Sequence, residues 1–122
     1  MNKVGYKIER DFELAGRILE GFDATNIDEG DGAFKVIYTD CENGLRMSLA
    51  AGIPVVCIGN RWGEWLGEQV IINGINGFLS NNPDEIRWII KKLLEKSPED
   101  LQVLRDNSIV AYNKYWGQNE SK

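Results

Sequence analysis

An apolar strand at residues 53–58, with the sequence Ile-Pro-Val-Val-Cys-Ile, decides the fold class of this chain. It is a continuous apolar run of strand length, which is typical of a strand that a parallel sheet buries on both faces. Residues 34–38, Phe-Lys-Val-Ile-Tyr, indicate a second buried strand, because aromatic and β-branched side chains favour sheets. Between them, residues 45–51 form a helical run that Gly52 can end. A helix between two buried strands predicts a parallel pair.

The rest of the chain continues this alternation. The remaining elements are a short strand at 3–6, a helix from Arg10 that stops near Gly21, short apolar pieces at 70–72 and 77–79, and helices opened by Asn82-Pro83 and Ser97-Pro98. We predict one Rossmann-like α/β domain over residues 1–122, with an open parallel sheet of four or five strands flanked by helices. Residues 23–33 are a polar loop or a short edge strand near 24–27, and residues 117–122 are a frayed tail.

Composition excludes several classes of function. The 122 residues contain no histidine, which removes Ser-His-Asp and Cys-His catalytic systems and histidine metal sites. The net charge is −5 without a basic stripe, so we expect no direct nucleic-acid binding. The acids of residues 23–33 do not fit the spacing of an EF-hand, and we expect no metal. No apolar run approaches the roughly 18 residues of a membrane span and no signal peptide is evident, so we expect a cytoplasmic protein.

The two cysteines are expected to be free thiols in such a protein. Cys57 lies inside the apolar strand and is expected in the core. Cys41 stands beside a turn, where it could be exposed, and no histidine is present to activate it.

Three loops are expected at the carboxyl edge of the sheet, where such folds bind ligands: residues 5–11, 39–44 and 60–67. The second loop leads into a helix, and the backbone amides of Asn43, Gly44 and Leu45 would be an anion cradle at its positive end. An ordinary capped turn is the alternative. Neither a Walker sequence nor a Gly-x-Gly-x-x-Gly motif occurs, so the sequence does not favour a P-loop or a dinucleotide site.

Side chains of the same loops could complete a ligand site. Lys7 and Arg10 could add positive charge, Asp40 and Glu42 could accept hydrogen bonds from ribose or sugar hydroxyls, and Trp62 and Trp65 could stack on a ring. Each has a plainer alternative: solvated charges in a turn for the first four, and packing for the tryptophans.

Several of these segments together resemble a known family. Residues 48–56, Ser-Leu-Ala-Ala-Gly-Ile-Pro-Val-Val, and residues 73–79, Asn-Gly-Ile-Asn-Gly-Phe-Leu, are similar to the C-terminal nucleotide-sugar-binding domain of GT-B glycosyltransferases of family 4. Residues 83–86, residues 112–116 and, more loosely, residues 4–15 continue the likeness. The resemblance implies a UDP- or GDP-sugar substrate, no cofactor and no metal. Its diphosphate would lie on Gly5, Lys7, Arg10 and the amides of residues 43–45, with Thr39, Asp40 and Glu42 near the sugar or ribose.

The chain also departs from that family. Met47 and Thr39 stand where the family has two donor-binding glutamates, and Glu42 is three residues out of register. A strand-helix-strand that helps to hold the base is compressed into residues 23–33. GT-B enzymes work in a cleft between two domains, so a partner protein or a second copy would have to supply the acceptor side. Three functions remain open: half of a transferase, a module that binds a nucleotide or nucleotide-sugar without turnover, and an interaction protein that keeps only the fold.

Overall fold

The architecture is a single parallel sheet with helices on both faces, which confirms the predicted Rossmann-like α/β class. A computed structural model of the chain describes residues 3–29, 34–59 and 65–117. Its elements are β1 (Val4–Lys7), α1 (Phe12–Leu19), β2 (Ala24–Asn26), β3 (Val36–Thr39), α2 (Glu42–Ala51), β4 (Val55–Ile58), α3 (Gly67–Val70), β5 (Phe78–Ser80), α4 (Pro83–Glu95) and α5 (Pro98–Tyr112), which continues as a π-helical turn (Asn113–Gly117).

The five strands lie in the order β2-β1-β3-β4-β5, and every neighbouring pair is parallel. The chain therefore moves outward from β1 to β2 and then returns to the other side of β1. In open α/β sheets this reversal marks the crevice in which ligands bind, at the carboxyl ends of the strands. Here the reversal falls between β1 and β3.

Strand positions differ from the sequence prediction by one or two residues. The second buried strand is Val36–Thr39 rather than 34–38, because Phe34 lies outside the strand and packs over Gly5. The helix expected from Leu45 already begins at Glu42. Of the two short apolar pieces, 77–79 overlaps β5, whereas 70–72 begins at the last residue of helix α3.

The core has two layers because β3 and β4 are buried on both faces. On one face, side chains such as Tyr38, Val56 and Ile58 pack against α1, α4 and the first half of α5. On the other face, Val55 and Cys57 pack against α2, α3 and the aromatic end of α5. Helix α5 thus contributes to both layers, with Leu101 and Leu104 in the first and Ala111 in the second.

The connection from β2 to β3 contains no helix among its described residues. Its flanking residues Ile27 and Phe34 lie directly on β1 instead. A Cβ atom at Gly5 would be 2.7 Å from Ile27 and 2.9 Å from Phe34, so only glycine permits this close approach. The expected edge strand near 24–27 is present as β2, and residues 30–33 of the polar segment lie outside the described residues.

The two C-terminal helices begin as predicted. The side chain of Asn82 accepts a hydrogen bond from the amide of Asp84, and that of Ser97 accepts one from Asp100, with proline in the first turn of each helix. The described end of the chain is a π-helical turn, and residues 118–122 of the expected frayed tail lie outside the described residues.

Strand β5 forms one edge of the sheet. The carbonyl of Ser80 accepts a hydrogen bond from Gly59 beside β4, so the amide of Leu79 points away from the sheet. The side-chain oxygen of Asn73 accepts that outward amide at 2.6 Å. The turn at residues 73–77 therefore closes a hydrogen-bonding position that an edge strand normally leaves open.

Candidate functional site at the carboxyl edge of the sheet

The carboxyl ends of β1 and β3 lie side by side, with Lys7 paired to Thr39. The loops that follow them, residues 8–11 and 40–41, meet over the reversal point of the sheet. Two of the three predicted site loops are therefore brought together, as the alternation of strands and helices requires. Most of the third loop, residues 60–67, lies outside the described residues.

Asp40 joins the two loops through its carboxylate. The residue is fully buried, and its two oxygens accept the backbone amides of Glu9 at 2.9 Å, Arg10 at 3.2 and 3.3 Å, and Asp11 at 2.8 Å. Successive amides that converge in this way form a concave anion site. The anion that occupies it is the chain's own carboxylate, so a phosphate or a ribose hydroxyl would have to compete with these bonds.

The start of α1 is closed by a second acid. The Asp11 side chain accepts the amide of Leu14 at 2.9 Å and is the N-cap of the helix. Arg10 has an exposed side chain, while its backbone amide is bound to Asp40. The backbone amide of Arg10, a predicted donor of this loop, is thus engaged within the protein.

The start of α2 packs tightly against the strand ends. The Thr39 hydroxyl donates to the carbonyl of Lys7 at 2.7 Å and accepts the amide of Cys41 at 3.2 Å. A Cβ atom at Gly44 would be 2.0 Å from the Thr39 hydroxyl oxygen. Glycine at this position therefore lets the helix approach the sheet.

The three amides predicted as an anion cradle have different partners. The amide of Leu45 donates to the carbonyl of Cys41 at 3.1 Å, as the first turn of a helix requires, and the side chain of Leu45 is fully buried. The backbone of Gly44 interacts with the Cys41 sulfur and lowers the pKa of that thiol. Helix geometry gives the amides of Glu42 and Asn43 no acceptor within the helix, and both residues are exposed. The donors best placed for an external anion are therefore those of residues 42 and 43.

Cys41 is buried, so the possibility that it is exposed is wrong. Its sulfur lies 3.4 Å from the Thr39 hydroxyl and 3.7 Å from the carbonyl of Lys7. Burial raises the pKa of the Cys41 thiol, and the hydrogen bond with Thr39 offsets part of that rise. Cys57 is fully buried, which also raises its pKa, and both cysteines are free as predicted. Neither is a thiolate nucleophile at neutral pH.

The charged side chains of the edge are mostly acidic. Lys7 pairs with Asp28, whose hydrogen bond raises the pKa of the Lys7 ammonium. The side-chain amide of Asn43 donates to Glu9 at 3.3 Å. Sequence reasoning missed Asp28 and Glu9 as members of this edge. The available signal was their position, two residues beyond the last residue of β2 and of β1 respectively.

Gly5 and Trp65 are packed inside the protein. Gly5 is inside β1 under Ile27 and Phe34, where its role is packing. Trp65 is 4% exposed in the core layer that contains Leu45 and Val70, and its indole nitrogen has no hydrogen-bond partner among the described residues. Trp62 lies outside the described residues. In this structure Trp65 offers no open ring face for stacking.

Comparison with models of protein families, with curated protein sequences and with solved structures finds no match to this chain. Within residues 3–29, 34–59 and 65–117, no helix has the length and apolar character needed to cross a bilayer. In the same ranges, no three histidine, cysteine or acidic side chains cluster as a metal site would require. The class that the geometry defines is a Rossmann-like α/β domain with an acidic carboxyl edge.

Proposed function

We propose that this chain is a module that binds a nucleotide or nucleotide-sugar without turning it over. The occupation of the residue 9–11 amides by Asp40 carries the proposal. Transfer of a sugar requires donors that stabilise the leaving diphosphate. With that amide cluster filled by a carboxylate, the edge retains donors for binding but has lost a group of donors that would stabilise the transition state.

The ligand would lie over the reversal point between β1 and β3. Its phosphate would accept hydrogen bonds from the amides of Glu42 and Asn43 at the positive end of α2, a helix of 10 residues. Its ribose or sugar hydroxyls would donate to the exposed carboxylates of Glu9 and Glu42. This arrangement keeps the ligand class implied by the GT-B resemblance but moves its phosphate one residue toward the start of α2.

Glu42→Pro tests the phosphate position. Proline lacks the amide proton but suits the first helical residue, as Pro83 and Pro98 show in α4 and α5. Cys41 is already extended, with φ −141° and ψ 161°, which is the conformation required before proline. Glu42→Ala is the matched control, because it removes the carboxylate and keeps the amide.

Titration calorimetry with UDP, GDP and a UDP-sugar measures the outcome. We expect Glu42→Pro to bind the diphosphate about tenfold or more weakly than Glu42→Ala, since a hydrogen bond to a charged group is worth about 1.5–3 kcal/mol. Equal affinities for the two variants would remove the phosphate from α2. If the unmodified chain bound none of these ligands, the proposed nucleotide-binding function would be rejected.

Measuring hydrolysis of a UDP-sugar distinguishes this binding function from that of one half of a two-part transferase. The module predicts no turnover of a bound UDP-sugar, alone or with a protein that supplies an N-terminal GT-B-type domain. Turnover that appears only with such a partner would favour the transferase.

A cytoplasmic location belongs to the same proposal, and two free, buried cysteines agree with a reducing compartment.

A further inference from the structure

The outer surface of α4 carries an exposed tryptophan. Trp88 is 60% exposed. It shares one stripe of the helix with Glu85, Lys92 and Lys96, at the spacing that aligns side chains on a helical surface. The Lys92 ammonium lies 5.6 Å from the centre of the Trp88 ring, within the range of a cation–π contact, and 3.8 Å from the Glu95 carboxylate.

Apolar hollows adjoin Trp88 on both sides. One is lined by Phe78, Ile89, Leu93 and the two lysines Lys92 and Lys96. The other continues along β5 past Leu79 to the turn at Asn73 and includes Glu85. This surface therefore has both a protruding ring and a hollow that could receive the same ring of another molecule.

We propose that this surface, the α4 patch of Phe78, Glu85, Trp88, Ile89 and Lys92, binds a second copy of the chain about a two-fold axis perpendicular to α4. A two-fold interface requires a self-complementary surface, because each copy presents the same residues to the other. Trp88 of one copy would enter the hollow lined by Phe78 and Ile89 of the other. A buried tryptophan in the centre of an interface is the residue type that most often dominates its energy.

Charge complementarity selects a second copy as the occupant. A perpendicular two-fold axis makes the two α4 helices antiparallel. Glu85 lies three residues before Trp88 and Lys92 four residues after it, so the two charges stand about 4.5 and 6 Å along the axis on either side of the ring. In an antiparallel pair, Glu85 of each copy therefore faces Lys92 of the other. A parallel arrangement would instead align like charges.

Sedimentation velocity of the full chain, from micromolar to millimolar concentration, tests the proposal. We expect a reversible dimer whose dissociation constant rises about thirtyfold in Trp88→Ala, as for the truncation of a central interface residue. The matched control is Val110→Ala, which truncates an apolar side chain that is 64% exposed on α5. A monomer at every concentration, or a dimer weakened by Val110→Ala and not by Trp88→Ala, would overturn the proposal.

Charge exchange tests the antiparallel arrangement. Glu85→Lys and Lys92→Glu should each weaken the dimer, and the double variant should recover most of the affinity because each new pair again has opposite signs. The melting temperature of each variant checks that the monomer fold is kept. A double variant that binds no better than the single variants would reject the two-fold pairing of α4, even if Trp88 contributed to self-association.

Discussion

Asp40 links two loops that are far apart in the sequence. Its carboxylate is buried, and the amides of residues 9–11 supply the compensating hydrogen bonds. Buried charges are tolerated when they are fully hydrogen-bonded. Asp40 therefore acts as a structural anion that fixes the position of the β1–α1 loop over the sheet edge.

Replacement of Asp40 by asparagine should destabilise the protein by about 2–3 kcal/mol, because an amide offers one acceptor oxygen and turns an NH2 group toward the loop amides. Urea denaturation measures the change in the free energy of unfolding. Asp28→Asn is the control, since it alters an exposed ion pair with Lys7 that should contribute little to stability. Similar losses in the two variants would contradict the structural role of Asp40.

The sequence places Asp40 at the correct edge but not in its correct role. An aspartate directly after a buried strand is a reasonable candidate for a hydroxyl acceptor, and it was predicted as one. Its actual partners are backbone amides 29 to 31 residues away. Every residue except proline carries such an amide, so no side-chain pattern marks which of them will converge on a carboxylate.

At the scale of helices, two glycines have opposite surroundings. Gly44 in the first turn of α2 lies against Thr39 and Lys7, where a Cβ atom would overlap with both. Gly16 in the middle of α1 has nothing within 4 Å of its Cβ position. The same residue type thus allows close packing in one helix and only costs backbone entropy in the other.

Gly44→Ala and Gly16→Ala should therefore change stability in opposite directions. We expect Gly16→Ala to raise the free energy of unfolding by about 0.5–1 kcal/mol through helix propensity. Gly44→Ala should lower it by about 2 kcal/mol or more, because the helix must move away from β1 and β3. Thermal and urea unfolding check both. A stabilised Gly44→Ala variant would show that α2 does not pack as closely as described.

Elements with local signals were predicted, and those that depend on tertiary contacts were not. Helices α4 and α5 carry capping residues and prolines, which determine their starts within the local sequence. The contact of Ile27 and Phe34 with Gly5 joins residues that are distant in the sequence, so no local pattern marks it. The start of α2 at Glu42 was missed because Cys41, its N-cap, makes no side-chain cap to the helix.

For the whole molecule, the two buried thiols predict a loss of stability in alkali. In the unfolded chain a cysteine titrates near pH 8.5, whereas burial raises the pKa of Cys41 and Cys57 in the folded state. Above that pH the unfolded state releases protons that the folded state retains. The contribution is therefore complete below about pH 8.5 and declines as the pH rises, by up to about 1.4 kcal/mol per pH unit for each thiol.

Urea denaturation under reducing conditions at several pH values between neutral and alkaline measures this slope. Cys57→Ala should be less stable at neutral pH, because it leaves a cavity in the sheet, but its stability should fall less steeply with pH. An unchanged slope in this variant would mean that Cys57 does not contribute to the alkaline loss.

The hydrogen bond from the Leu79 amide to Asn73 affects how molecules of this protein can associate through strand β5. Because that outward amide already has an acceptor, a strand from another molecule has one fewer backbone position to which it can hydrogen-bond along β5. The addition of further strands to this edge, which is the route to fibres, is therefore disfavoured. Contacts between molecules on this side are then left to side chains, whose shape and charge can distinguish one neighbour from another.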